Sequence, residues 1–156
     1  MNKYLKLTVC ILIPIIVGSV SGWLSGSGMD EWFDTLNKPS FNPPSSVFGP
    51  VWSLLYLLMG ISLYRVVQSQ PGHLRNMALI LFFSQLFLNF MWSLIFFRWH
   101  LLGTAFAEIV VLWLTIIVML YYFSKLDKTA WLLQIPYLLW VTFAAFLSGT
   151  FWILNQ

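Results

Sequence analysis

The sequence predicts an all-α membrane protein, a bundle of five transmembrane helices with a long structured loop between the first and the second. Three observations carry this. Of 156 residues, 60% are hydrophobic and only 8% charged, whereas soluble domains carry about 25% charged residues. A chain this short leaves a large share of itself at its surface, so in water that much apolar area would stay wet. Five stretches, about 5–24, 46–67, 77–97, 101–123 and 131–154, have the roughly 20 apolar residues that a helix needs to cross a bilayer. None of them alternates apolar and polar residues, and each is far longer than a barrel strand. Helices satisfy their own backbone hydrogen bonds where no water can. The whole chain, 1–156, reads as one transmembrane domain. An ordinary soluble domain and a disordered chain are excluded. So is a nucleic-acid-binding domain, because 8 scattered Lys and Arg residues cannot track a phosphate backbone.

Span 1 follows Lys3 and Lys6 and carries the single cysteine, Cys10. One cysteine excludes an internal disulfide framework and a Cys-based zinc site, and Cys10 reads as a small packing residue. The two lysines, the apolar run and the small residues around Gly18 and Gly22 also outline a secretory signal. The run is long for a signal, and a retained helix is expected. Residues 25–45 form a Gly/Ser/Pro-rich loop with the cluster Asp30, Glu31, Trp32, Phe33. Pro39, Pro43, Pro44 and Pro50 fix φ and stiffen it. Pro43-Pro44 followed by Ser45-Ser46 predicts a stop and then a helix N-cap. A stiff loop bearing Trp32, Phe33 and Phe41 either lies over the bundle mouth as a lid or is a connector with interfacial aromatics.

The other connections are short: 68–76 with Pro71 and Gly72, a tight turn near 98–100, and another near 125–129. Short turns make successive helices antiparallel neighbours. Lys3, Lys6, Arg65, Arg75, Lys125 and Lys128 then fall on one side of the membrane, and Lys38 and Arg98 on the other. The protein is expected in a bacterial cell membrane, and the excess of basic residues puts its N-terminus on the cytoplasmic side, with the long loop and the C-terminus on the far side. No internal repeat supports an inverted-repeat transporter.

Polar residues at membrane depth usually face protein or a cavity. In span 3, Gln85, Asn89 and Ser93 form a stripe at i, i+4, i+8, with Trp92 and Phe96 beside it. The stripe is either the polar edge of a cavity or glue between helices. Glue is favoured for Gln85, and Asn89 stays open between the two. Glu108 in span 4 is the only acid within a span. It is open between snorkelling, capping a neighbour, and a proton or cation site. One acid makes no catalytic carboxylate pair. Span 5 adds Gln134, Thr142, Ser148 and Thr150. His73 and His100 lie in connections without ligand spacing, so no metal is expected. No phosphate-binding glycine loop and no Ser/His/Asp order is present. No cofactor is expected.

Of nine tryptophans, Trp23, Trp99, Trp131 and Trp152 lie near span ends and suit the membrane–water boundary. Trp52, Trp92, Trp113 and Trp140 lie inside spans. They either fill the core or line a pocket for a flat aromatic ligand, since indole rings favour offset stacking and edge contacts.

The segment WFDTLNKPSFNPPSSVFGPVWSLLY, 32–56, resembles the TspO/MBR family of tryptophan-rich sensory and translocator proteins. The family pattern is matched at Trp32, Leu36, Lys38, Pro39, Phe41, Pro43, Pro44, Phe48, Val51, Trp52, Leu55 and Tyr56, then Met59-Gly60. It continues in span 3 at Gln85, Leu88, Asn89, Trp92 and Phe96-Phe97, and in span 5 at Pro136, Tyr137, Trp140, Phe143 and Ala144. The resemblance implies a five-helix bundle, commonly a homodimer, with a ligand cavity closed by the first loop. It implies binding of porphyrins such as protoporphyrin IX and of aromatic ligands such as the isoquinoline carboxamide PK11195. For bacterial members it implies light-dependent porphyrin breakdown. The ligand-binding residues it implies are Trp32, Lys38, Phe48, Trp52, Tyr56, Asn89, Trp92, Glu108, Trp140, Ala144 and Ser148, with Trp52 and Trp140 acting in breakdown. Two alternatives stay open: a tetrapyrrole sensor without turnover, and a tetrapyrrole or sterol transporter. The family's cholesterol motif needs a Tyr followed by a basic residue late in span 5. This chain reads LSGTFWILNQ there, which counts against cholesterol. A loose match at Val118, Tyr121 and Lys125 carries little weight. Ser148 stands where many members have Asn.

Overall fold

A computed structural model describes residues 2–26 and 29–156. Ser27 and Gly28 of the first loop lie outside the described residues. Five helices are long and apolar enough to cross a membrane: α1 (Lys3–Gly26), α3 (Ser45–Gln68), α4 (His73–Ser93, continued by a π-helical turn Leu94–Arg98), α5 (Leu102–Leu126) and α6 (Lys128–Leu154). They are the five predicted spans, each extended by a few residues. No strand occurs among the described residues. The sixth helix, α2 (Met29–Thr35), lies inside the segment expected to be loop. Glu31 near its start suits a helix N-terminus, and the Thr35 hydroxyl closes its end by donating to the Trp32 carbonyl at 2.6 Å.

Helix α3 starts where the prolines predict, but without the expected serine cap. Pro44 occupies the cap position in an extended conformation and no side chain caps the helix. Ser45 and Ser46 already belong to the first turn. A side-chain cap appears instead at α6, where Asp127 accepts from the Ala130 N–H at 2.7 Å. The same carboxylate receives two 2.8 Å hydrogen bonds from Arg65 of α3. Ser62 of α3 donates to the Ala130 carbonyl at 2.8 Å, so α3 and α6 are tied at this end by side chains and backbone together.

The helices close into a ring. α1 packs on α3 and α4, α3 on α6, α6 on α5, and α5 on α4. Alternating direction puts the basic residues at 3, 6, 65, 75, 125 and 128 at one end, and α2, the loop and the C-terminus at the other. The two ends differ in filling. Toward the basic end, Met59, Leu63, Phe82, Ile116, Met119 and Phe123 form a fully buried core. Cys10 is buried at its margin, as a small packing residue. Toward the loop end the centre is hollow.

Candidate functional site

Between the two halves lies a polar layer. The Tyr56 hydroxyl donates to Asn89 Oδ1 at 2.8 Å, Asn89 Nδ2 donates to the Tyr137 oxygen at 3.2 Å, and the Tyr137 hydroxyl donates to Gln85 Oε1 at 2.7 Å. Gln85 is 0% and Asn89 3% exposed. A buried amide needs such partners, because an unmet hydrogen bond in this setting costs about 1–3 kcal/mol. Both residues are therefore glue, and Asn89 is not a cavity wall. It fixes the Tyr56 ring, which is the floor.

Above Tyr56 opens a cavity of about 830 Å³. From α3 come Phe48, Trp52 and Tyr56; Trp52 stacks on Tyr56 at 5.4 Å between centroids. From α4 and its π-turn come Trp92, Ser93, Phe96 and Phe97, and from α6 come Trp140, Phe143, Ala144, Leu147, Ser148 and Phe151. Trp140 meets Phe48 edge-on at 5.9 Å. The π-turn has a local purpose. Adjacent residues of an α-helix point about 100° apart, yet Phe96 and Phe97 both reach this wall. One extra residue in the turn widens the face that α4 offers, a recurrent use of π-bulges. Two residues past its end, His100 lies in the left-handed region at φ 58°.

The first loop roofs the cavity. Phe33 packs on Phe96, Phe97 and Phe151 at centroid distances of 5.4 to 6.5 Å. Lys38 lines the mouth, bound to Asp34 at 2.6 Å and lying 4.7 Å over the Phe33 ring. A clasp holds the loop down at its far side. The Asn37 N–H donates to Asn155 Oδ1 at 2.9 Å, and Asn155 Nδ2 donates to the Asn37 carbonyl at 3.1 Å. Of the two sequence alternatives, lid and connector, this geometry is the lid.

Of the eleven expected ligand-binding residues, Lys38, Phe48, Trp52, Tyr56, Trp92, Trp140, Ala144 and Ser148 line this one space, and Trp32, Asn89 and Glu108 do not. Trp32 sits outside the roof, stacked on His100 at 4.0 Å, and it buttresses the strained turn instead of facing the hollow. Glu108 lies off the cavity, both carboxylate oxygens enclosed and without a hydrogen-bond partner among the described residues. Trp113 also stays out. It faces an outer groove between α5 and α6, where its Nε1 donates to Thr142 at 2.8 Å. Sequence reasoning missed the α1 wall, made of Ile15, Gly18, Ser19, Gly22 and Ser25. Its signal was present as small residues at i, i+4 and i+7, Gly18, Gly22 and Ser25, the spacing of one helix face.

Fold and site define the class: an integral membrane bundle of five helices around an aromatic hollow, roofed by a proline-stiffened loop. The chain belongs to the TspO/MBR family of tryptophan-rich sensory and translocator proteins, whose sequence profile matches residues 10–153. It is 37% identical over 157 residues to the tryptophan-rich protein TspO of Chlorobaculum tepidum, covering 99% of both chains. It is 34% identical over 152 residues to the protein of the same name from Archaeoglobus fulgidus, covering 97% of both. With the tryptophan-rich sensory protein of Cereibacter sphaeroides it shares 40% identity over 119 residues, 76% of this chain and 73% of the relative.

Proposed function

We propose that the chain binds planar amphipathic tetrapyrroles, with protoporphyrin IX as the type ligand, in the roofed cavity and promotes their light-dependent breakdown. The observation behind this is the convergence of Trp52, Trp92 and Trp140, from three helices, on one cavity of about 830 Å³. Ligand pockets run from about 300 to 1,000 Å³ and combine apolar walls with few polar groups. Indole faces suit a flat ring system. Lys38 can exchange Asp34 for a ligand carboxylate, because Asp34 is 76% exposed and such a surface pair contributes little. Isoquinoline carboxamides such as PK11195 present the same chemistry, an aromatic body with one carbonyl acceptor.

In the breakdown step, light excites the bound porphyrin and dioxygen is the oxidant. Both oxygen atoms add across one methine-bridge double bond, that carbon–carbon bond breaks, and two carbonyls result. Trp52 and Trp140 stack on the macrocycle, choose the bridge that opens, and lend an electron that returns when the bond breaks. No general base is required, in keeping with a cavity whose charged lining groups among the described residues are Asp34 and Lys38. The test is product analysis of protoporphyrin IX with the wild type, Trp52→Phe and Trp140→Phe, in light and in darkness. The expected result is one ring-opened product in light only, with about tenfold slower and less selective turnover in each variant. Equal rates and products in both variants overturn the catalytic half. Absence of saturable binding overturns the whole.

A sensor without turnover is the second reading, supported by the Asn37–Asn155 clasp, which connects the roof of the cavity to the end of α6. It predicts saturable porphyrin binding with bleaching no faster than in an unrelated porphyrin binder. A cytoplasmic N-terminus in a bacterial cell membrane, supported by the six basic residues at one end, and a homodimer belong to the same proposal. Cysteine labelling in intact cells and crosslinking in membranes check them.

A further inference from the structure

We propose that the seam between α1 and α3 is a lateral portal, through which a planar amphipathic anion passes between the loop-side leaflet and the cavity. This rests on the binding reading above and adds the route. The two walls of the cavity differ. On the α4 and α6 side Phe96, Ala144, Leu147 and Phe151 are buried and seal it. Every exposed lining residue falls instead on α1, on the first turns of α3, or on the roof. Ser19 and Gly22 of α1 and Gly49 and Ser53 of α3 line the cavity and are exposed.

The glycines gauge the gap. Toward the basic end a Cβ on Gly60 would fall on the Ile11 backbone, and one on Gly18 would fall on the Tyr56 ring. The two helices touch there as closely as helices can. Toward the loop end a Cβ on Gly22 or Gly49 meets nothing within 4 Å. The helices are thus pinned at Gly60 and part toward the loop. Both helices are long and apolar enough to cross a membrane, so the gap opens sideways toward the bilayer. Trp23, next to Gly22, is 79% exposed, as an indole at the membrane boundary is.

The chemistry of the slot selects its traffic. It is lined by the small residues Ser19, Gly22, Gly49 and Ser53, which leave room for a flat ring passing edge-on. Lys38 stands at its head, at the level where a carboxylate on a bilayer-dissolved ring would lie. Ser25, fully buried at the upper end of the α1 wall, has a hydroxyl with no partner among the described residues, ready for a polar group of the occupant.

Gly22→Phe and Gly49→Phe fill open space, so both variants should fold. In proteoliposomes loaded with protoporphyrin IX through the lipid, association and dissociation should each slow by about tenfold, whereas a phenylalanine that merely took up cavity space would speed dissociation. In a Cys10→Ala background, Ser53→Cys should react with a bilayer-soluble maleimide, and Gly22→Phe should protect it. Unchanged rates together with an unprotected or unreactive Ser53→Cys overturn the portal. A protein that binds no porphyrin while its Ser53→Cys labels and is protected retains the portal and loses the binding reading.

Discussion

The basic-end half and the loop-end half of this bundle are built from the same helices and almost the same residue types, yet one is solid and the other hollow. In the first, Phe82 and Phe123 stack at 6.5 Å, and Met59, Leu63 and Ile116 fill what remains. In the second, Trp52, Trp92 and Trp140 are only half-buried and surround a space instead of filling it. The difference lies in how close α1 comes to α3. Gly60 lets the backbones touch, whereas from Gly18 upward α1 offers the hollow only the small residues Gly18, Ser19, Gly22 and Ser25. Without a hydrophobic drive between helices in lipid, packing at small residues decides association. Stability is concentrated in the solid half, which leaves the other free to open.

The largest test of this contrast is truncation. Phe82→Ala should cost about 3–5 kcal/mol, because it opens a cavity in a filled core. Trp140→Ala should cost less than about half of that, because it enlarges a hollow already present. Thermal unfolding in detergent compares them, and equal losses would erase the distinction. Next comes the pin. Gly60→Ala should cost about 3 kcal/mol through backbone collision, while Gly49→Ala should stay within about 0.5 kcal/mol.

The boundary layer ranks third. Tyr137→Phe removes both a donor to Gln85 and an acceptor for Asn89 and should cost about 1–2 kcal/mol. Because Asn89 positions Tyr56, ligand affinity should fall as well, measured by porphyrin titration. The smallest effect is at the exposed end. The Arg65 guanidinium, through its hydrogen bonds, holds the Asp127 carboxyl below the usual carboxylate range against the opposing effect of burial, and the Ala130 N–H adds a smaller pull in the same direction as Arg65. A depressed value means that its contribution is complete at neutral pH and is lost as pH falls through the folded-state value. Asparagine can keep the cap but not the charge facing Arg65, so Asp127→Asn should cost up to about 1 kcal/mol at pH 7, and the gap from wild type should close in acid. A gap that persists in acid would mean that charge has no part in the tie.

Much of the site was legible because tryptophans and prolines are rare and positional. Trp52 and Trp140 lie inside spans, away from the boundary that accounts for other tryptophans, and Pro43-Pro44 had to end a loop. Asn89 was not legible, since a polar residue on an inward face serves glue and cavity alike until its neighbours are known. The α1 wall was missed for a different reason. Hydropathy registers side chains that are present, and Gly18, Ser19 and Gly22 make a wall by leaving room. The π-turn depends on one hydrogen-bond shift, Trp99 N–H to the Leu94 carbonyl at 2.9 Å, that no residue pattern announced.

By itself the sequence determined that five helices are long and apolar enough to cross a membrane, roughly where each lies, and which of their ends share a side. Each of these follows from a local rule: in lipid a segment must satisfy its own backbone, and short turns reverse direction. Only the tertiary structure decided the ring order, the faces turned inward, and the parting of α1 from α3. These spans are apolar nearly all round, so their periodicity carries little sign of facing. Orientation is settled by the shape of small residues against large ones across helices, and that exists only once the helices have met.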